Sequence, residues 1–401
     1  MKRYPKYKES GVPWLGQVPA HWEVGNLSRF ALEAGVKNEA MVERNLLSLS
    51  YGHIIRKDIE ANEGLLPASF EGYQIVERGD TVLRLTDLQN DQRSLRAGYV
   101  NERGIITSAY LNVRPSGVTG RWLFNALRAS DLLKVFYSMG GGVRQSLDYD
   151  AIKRVLIPVP PEEEQLAIDS YLIAEEQRIN IAISSQERMV DLLKERIDSL
   201  VLKSISSKDV THIRLGHVAK LISRSIGESP SQSYTKLGLF NRGRGLFHKD
   251  GSSHDEMGDS EFFYVRPGDL IISGQFAWEG AVAMAGDAED GCVVSHRYPV
   301  LRGLNGVVET EYLLSFFCTE PGTFLLNEHS RGAAGRNRPL NIRSLLKEKI
   351  PIPSIGLQMH VVEAIKQRQS ILGKIAQLNR LLKQRRSAII TQAVTGQIDV
   401  R

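Results

Sequence analysis

"GGGVRQSLDYDAIKRVLIPVPPEEEQ" occupies residues 140–165, and "AAGRNRPLNIRSLLKEKIPIPSIGLQ" occupies residues 333–358. The two strings align at a single offset of 193 residues. Leu147 falls on Leu340, Ile152 on Leu345, Pro158 and Pro160 on Pro351 and Pro353, and Gln165 on Gln358. A run of matches at one spacing marks a duplication, and a repeat has to be recognised before any element is assigned.

The match continues outward from these strings. "ERGDTVLRL" (77–85) pairs with "RPGDLIISG" (266–274), each a Gly-Asp turn followed by a short apolar strand. "GIITSAYLNVR" (104–114) pairs with "GCVVSHRYPVLR" (291–302), and "RWLFNALRAS" (121–130) pairs with "EYLLSFFCTE" (311–320), which predicts a short buried helix in each half. The order of elements is the same in both halves and the identity is low. This is a diverged duplication, not a short-period solenoid.

After "IPVP" and "IPIP" the texture changes to helix formers with almost no Gly or Pro. Leu172, Ile179, Ile183, Val190, Leu193, Ile197 and Leu200 follow a heptad seam, with Gln186 filling one gap. Ile371, Ile375, Leu378, Leu382 and Ile389 form the second seam, interrupted by Arg385. So narrow a stripe suits helix-on-helix pairing better than the cover of a globular domain. Residues 162–205 carry 5 Lys/Arg against 10 Asp/Glu, and residues 354–401 carry 8 against 2. The two helices are thus of opposite charge, as an intramolecular pair prefers.

The predicted fold class is α+β. Two pseudo-repeated domains, 1–157 and 206–350, are joined by two long helices, 158–205 and 351–401, forming an antiparallel coiled coil. The expected shape is a dumbbell about a pseudo-two-fold axis, with Leu172 to Leu200 spanning about 42 Å at about 1.5 Å per residue.

Composition bounds the function. The 401 residues are 42% hydrophobic and 24% charged, with a net charge of +5, which is ordinary for a globular chain. Cys292 and Cys318 are too few for a disulfide framework and have no zinc spacing. The basic start, "MKRYPKYKESGVPWLG", lacks an apolar signal-peptide core, and no run reaches membrane-spanning length. A cytoplasmic protein is expected, with no membrane partner.

Catalytic signatures are missing. The chain has no phosphate-binding G-x-x-x-x-G-K-[ST] loop, dinucleotide fingerprint, G-x-S-x-G elbow, H-E-x-x-H or C-x-x-C. Nor does it carry the Asn/Asp-Pro-Pro-aromatic string of an adenine amino-methyltransferase. "HKDGSSHDE" (248–256) collects His248, Asp250, His254 and Asp255, but its irregular spacing favours a solvated polar loop over a metal site. Gly140, Gly141 and Gly142 lack the preceding strand of a phosphate cradle and read as a flexible turn.

What remains is a set of basic, Gly-flanked loops. One offers Arg144 and Gln145; its counterpart offers Arg331, Arg336, Asn337 and Arg338; "NRGRGLFHK" (241–249) offers Asn241, Arg242 and Arg244. Arg forks match guanine and Asn or Gln forks match adenine at base edges. Surface loops carry such residues without function too, but here polar forks recur before the same Leu in both copies.

These residues resemble a known family. "YPKYKESGVPWLGQVPAHWEV" (4–24), "QSLDYDAIKRVLIPVPPEEEQLAIDSYL" (145–172) and "RPLNIRSLLKEKIPIPSIGLQMHVVEAI" (338–365) are similar to the specificity subunits of type I restriction–modification systems over essentially the whole chain. The second copy departs by replacing "PEEEQ" with "SIGLQ". The resemblance implies two target recognition domains, each reading half of a split site in double-stranded DNA, and helices that set the unread spacer. It implies no catalysis and no cofactor in this chain. The implied partners are two modification subunits that methylate adenine with S-adenosylmethionine, and restriction/motor subunits. A span of about 42 Å suits half-sites roughly one DNA turn, 34–36 Å, apart. The DNA-facing candidates are Arg144, Gln145, Arg336, Asn337 and Arg338, then Asn241, Arg242 and Arg244, with the partners on the helix faces outside the seam. Two other classes fit the missing motifs: a scaffold that never touches DNA, and a nuclease or methyltransferase with unrecognised motifs.

Overall fold

The computed structural model describes residues 2–60, 69–91, 93–139, 146–227, 233–253, 260–332 and 338–401. The chain is mixed α+β and divides into two compact units, Met1–Ser184 with Leu378–Arg401, and Ser185–Gln377. The first long helix, Glu162–Ile205, and the second, Ile355–Val394, therefore each contribute to both units.

The units share a frame. In the first, a four-stranded antiparallel sheet has the order Ala97–Tyr99, Thr81–Leu83, Leu111–Pro115, Ala31–Glu33. In the second, the same order recurs as Val282–Met284, Leu270–Ile272, Val300–Gly303, Ala219–Ile222. A helix follows the third strand of each frame in sequence, Gly120–Leu132 in one and Thr310–Cys318 in the other. The strands are short and apolar because they are covered on both faces: adjacent Val82 and Leu83, like adjacent Leu270 and Ile271, are fully buried.

The matched strings form the hinge between frame and helix. Asp148 and Asn341 each cap a one-turn helix, accepting from Ala151 N and Ser344 N. The proline strands Leu156–Val159 and Lys349–Ile352 then pair antiparallel with Glu23–Asn26 and Thr211–Arg214. Each is an edge of a two-stranded ribbon, where proline removes no needed ladder bond. The proline carbonyls accept from aromatic side chains: Trp122 Nε1 donates to Pro158 O at 3.0 Å, and Tyr312 Oη donates to Pro351 O at 3.1 Å.

The repeated glutamine has a clear task. Gln165 accepts from Thr119 N at 2.9 Å and donates to Pro160 O at 3.0 Å. Gln358 accepts from Glu309 N at 2.9 Å and donates to Pro353 O at 2.9 Å and Val307 O at 3.1 Å. Both are buried, so one amide staples the frame helix's start, the proline turn and the long helix.

Outside the frame the units differ. The first adds a three-stranded sheet, Gly104–Ile106, Gln74–Val76, Val36–Lys37, and a hairpin, Leu47–Ser50 with His53–Arg56. The second adds a four-stranded sheet, Leu246–Ser253, Ser233–Leu239, Val293–Ser295, Phe262–Tyr264. His248 and Asp250 stand in that sheet, not in the polar loop the sequence suggests. Cross-strand pairing of Leu237 with His248 and of Thr235 with Gly251 outweighs the weak strand propensity of the stretch.

In the first unit the long helices run antiparallel, with Arg401 reaching Glu164 at 2.9 Å and Arg385 reaching Glu175 at 2.8 Å. Ile168 and Leu172 share a core with Ile389 and Ala393 there, as Ile197 and Val201 do with Val361 and Ile365 in the second unit. Leu378, placed on the seam by its spacing, is 45% exposed. Among the described residues no helix is long and apolar enough to cross a membrane.

Candidate nucleic-acid interface

Among the described residues, a basic surface lies in the second unit at the tip of the hairpin formed by Ser233–Leu239 and Leu246–Ser253. The ladder closes at Leu239 opposite Leu246, and Phe240 N donates to Gly245 O at 3.0 Å, leaving Asn241–Arg244 as the turn. Arg242 holds a left-handed φ of 60° and Gly243 one of 63°. A side chain on Gly243 would also meet Cys318 Sγ at 2.7 Å, so glycine is required twice over there. Arg242 N and Gly243 N donate to Glu279 O and Gly280 O at 3.0 and 2.8 Å, which fixes the turn against the segment after Leu270–Ile272.

This anchoring settles where the side chains go. Asn241 donates through Nδ2 to Glu279, so part of its fork is already engaged. Arg242 and Arg244 are exposed; Arg244 Nε donates to Asn241 O at 3.0 Å and its guanidinium stacks over Phe240 at 5.3 Å. Asn241, Arg242, Arg244, Trp278 and Glu279 line one open groove. Arg338 reaches the same aromatic from the other loop, with its guanidinium 5.0 Å from the Trp278 ring. Arg242 and Arg244 thus line one groove with Trp278, on which Arg338 also packs, and the carboxylate in its described lining, Glu279, is engaged by Asn241.

The structure therefore joins Arg338 to Asn241, Arg242 and Arg244, which lie about a hundred positions away in sequence. Arg144, Gln145, Arg336 and Asn337 fall outside the described residues, as do Gly140, Gly141 and Gly142. Arg331 is exposed and pairs with Glu328 at 3.5 Å. Trp278 was missed by sequence reasoning. Its signal was "QFAWEG" (275–280), an aromatic pair in a connection whose first-half counterpart has none. Phe276 is likewise 38% exposed and Phe240 41% exposed. Stacked arginines and exposed rings are the side chains that meet phosphates and base faces.

His248 does not build a metal site with Asp250. Its Nε2 lies 3.3 Å from Ala288 O and 3.6 Å from Glu289 Oε1, while His254 and Asp255 lie outside the described residues. Among the described residues no group of three or more His, Cys, Asp or Glu could hold a metal ion.

The acidic first turn of the first long helix has a structural role instead, through Glu164. Glu164, 6% exposed, accepts from Tyr4 Oη at 3.2 Å, Trp22 Nε1 at 2.9 Å and Arg401 at 2.9 Å, with His21 Nε2 at 2.7 Å. Burial first, then Glu164 and Asp399, hold the Tyr4 hydroxyl well above its usual range. The stretch 4–24 thus clamps the first unit through a carboxylate that position 357, a leucine, lacks.

No family model and no curated protein matches this chain. Solved structures do. One, from work on complex assembly and conformational transition of the type I R-M system, aligns over 95% of this chain and 99% of its own, with a TM-score of 0.62 and 15% identity. Another, the HsdS subunit from Thermoanaerobacter tengcongensis, aligns over 95% and 98%, with a TM-score of 0.50 and 16% identity. Over nearly its whole length, this chain has the fold of an HsdS subunit of a type I R-M system.

Proposed function

We propose that the chain is the DNA-specificity subunit of a type I restriction–modification assembly. Its two recognition domains, residues 1–157 and 206–350, each read one half of a bipartite site in double-stranded DNA. The observation that carries this is the duplicated frame: the same strand order and the same glutamine staple occur twice, while the sheets and loops built on the frame differ. Two equal scaffolds with unequal surfaces suit two half-sites of unequal sequence. The cluster of Arg242, Arg244, Arg338 and Trp278 supplies the contact surface of the second domain, with phosphate contacts for position and a subset for base reading.

The chain itself would contribute no chemistry. Two modification subunits would dock on the long helices and supply adenine methylation, with restriction/motor subunits joining them in the cytoplasm. Ile181, Met189 and Leu192 are 65%, 50% and 55% exposed on the first long helix, and such apolar residues outside the seam suit a protein partner. The test is selection of random duplex DNA by the full chain with its modification subunits, followed by sequencing. Two short constant blocks separated by a fixed gap are expected. Enrichment of nothing, with the subunits still associated, would favour a scaffold; methylation or cleavage by the chain alone would favour an enzyme.

A further inference from the structure

A cavity of about 140 Å³ lies within the first unit, between the helix Gly120–Leu132, the hairpin at Gly52–Ile54 and both long helices. A space of this order holds one benzene-sized ring. Its walls include Phe124, Leu172 and Ile173, and its charged lining includes Arg128 and Arg386.

The two arginines are under-partnered. Arg128 is 5% exposed and donates through Nη2 to Gly52 O and Ala97 O, yet its buried Nε has no acceptor among the described residues. Arg386 donates through Nη2 to Asn180 Oδ1, and its buried Nε likewise lacks an acceptor among the described residues. A buried donor left unpaired carries its full desolvation cost. Burial, and after it the nearby Arg386, push the Arg128 guanidinium down to about 10 against the opposing pull of Asp131 and Glu176. Of the two lining carboxylates, Glu175 is already held by Arg178 at 2.5 Å and Arg385 at 2.8 Å, while Glu176 acts on Arg128 from the cavity wall. The frame does not demand this arginine, because Cys318 stands at the equivalent place in the second unit.

We propose that this cavity is a binding site for a small aromatic carboxylate, its ring against Phe124, Leu172 and Ile173 and its carboxylate received by Arg128 and Arg386. Apolar walls with a few convergent polar groups are the usual make-up of such a site. A bound ligand would tie the recognition domain's helix to both long helices and stabilise the first unit by mass action. This site is independent of the DNA-binding proposal and takes a different chemical class.

The experiment titrates the full chain with sodium benzoate, and with benzyl alcohol as a neutral analogue, by ligand-observed NMR and by melting. Benzoate should bind saturably and raise the melting temperature, with benzyl alcohol about tenfold or more weaker. Arg386→Met should weaken benzoate by a similar factor while leaving benzyl alcohol unchanged. Ile173→Trp, at a position 39% exposed, should fill the space and abolish both. No saturable benzoate signal, equal binding of both probes, binding unaltered in Arg386→Met, or binding that survives Ile173→Trp would each overturn the assignment.

Discussion

The two units share a skeleton and differ in what they bury. At four matched positions the first unit carries a buried charge where the second carries an uncharged side chain, whereas the buried aspartates Asp80 and Asp269, paired with Arg114 and Arg302 at 2.8 and 2.7 Å, are common to both. Arg96 and Arg128 are replaced by Ala281 and Cys318, Asp169 by Val362, and Glu164 by Leu357. Two of these charges are satisfied in place: Arg96, fully buried, donates to Thr86 O at 3.0 Å and Tyr137 Oη at 3.2 Å. Asp169 accepts from Asn125 Nδ2 at 2.8 Å and Thr119 Oγ1 at 3.2 Å. What both units retain is the staple of Gln165 and Gln358, and the aromatic donors to Pro158 and Pro351. The duplicated fold thus keeps its joints and one buried aspartate–arginine pair, while other interior positions have diverged.

The largest test of that contrast is Glu164→Leu, which makes the first unit resemble the second. It leaves Tyr4, Trp22 and Arg401 without their shared acceptor and should cost the first unit about 3–5 kcal/mol, as breaking a buried pair does. In the full chain, denaturation followed unit by unit through hydrogen exchange should show the second unit unchanged.

Gln165→Leu and Gln358→Leu probe what is shared. Each strands a buried N–H and at least one carbonyl, at about 1–3 kcal/mol per group. Equal losses, each confined to its own unit, are expected in the same exchange measurement. A large loss at only one site would break the equivalence of the two joints.

On the surface, the difference is read as DNA affinity. Arg244→Ala and Trp278→Ala should each weaken cognate binding by about 1–3 kcal/mol in a fluorescence titration at fixed salt. An equal loss on random DNA would reduce either residue to a phosphate or non-specific contact.

The smallest effect is in pH. Burial, opposed by the Asn125 and Thr119 hydrogen bonds, raises the Asp169 carboxyl to about 6. A carboxyl raised in the folded state favours folding when protonated. Its contribution is therefore complete below about pH 4 and is lost as pH rises through about 6. Melting from pH 4 to 7 should show the first unit weakening with this profile. Asp169→Asn should flatten the profile and add about 1 kcal/mol at pH 7, and the second unit, with Val362 there, should lack the component.

The repeated joints were legible in the sequence because their residue types are dictated by geometry. Proline sits where an edge strand needs no donor, and glutamine where one side chain must both donate and accept. The hairpin loop at Asn241–Arg244 was legible as chemistry but not as a place: only folding brings Trp278 and Arg338 to it. The second seam, interrupted at Arg385, includes Leu378 by its spacing, yet Leu378 is half-exposed, since a period of seven marks a stripe and not the depth of its cover. The role of Glu164 was hidden because its partners, Tyr4, Trp22 and Arg401, lie up to 237 positions away. Residues 4–24 carried a resemblance, and their physical purpose emerged only from that clamp.

The central claim is that two equivalent joints present two different readers. Adenine methylation mapped across DNA, with the modification subunits present, tests it most directly when the wild-type chain is compared with Arg242→Ala/Arg244→Ala. A split motif that keeps one half intact and loses definition in the other is predicted. Both halves changing together, or no split motif in the wild type, would contradict the account.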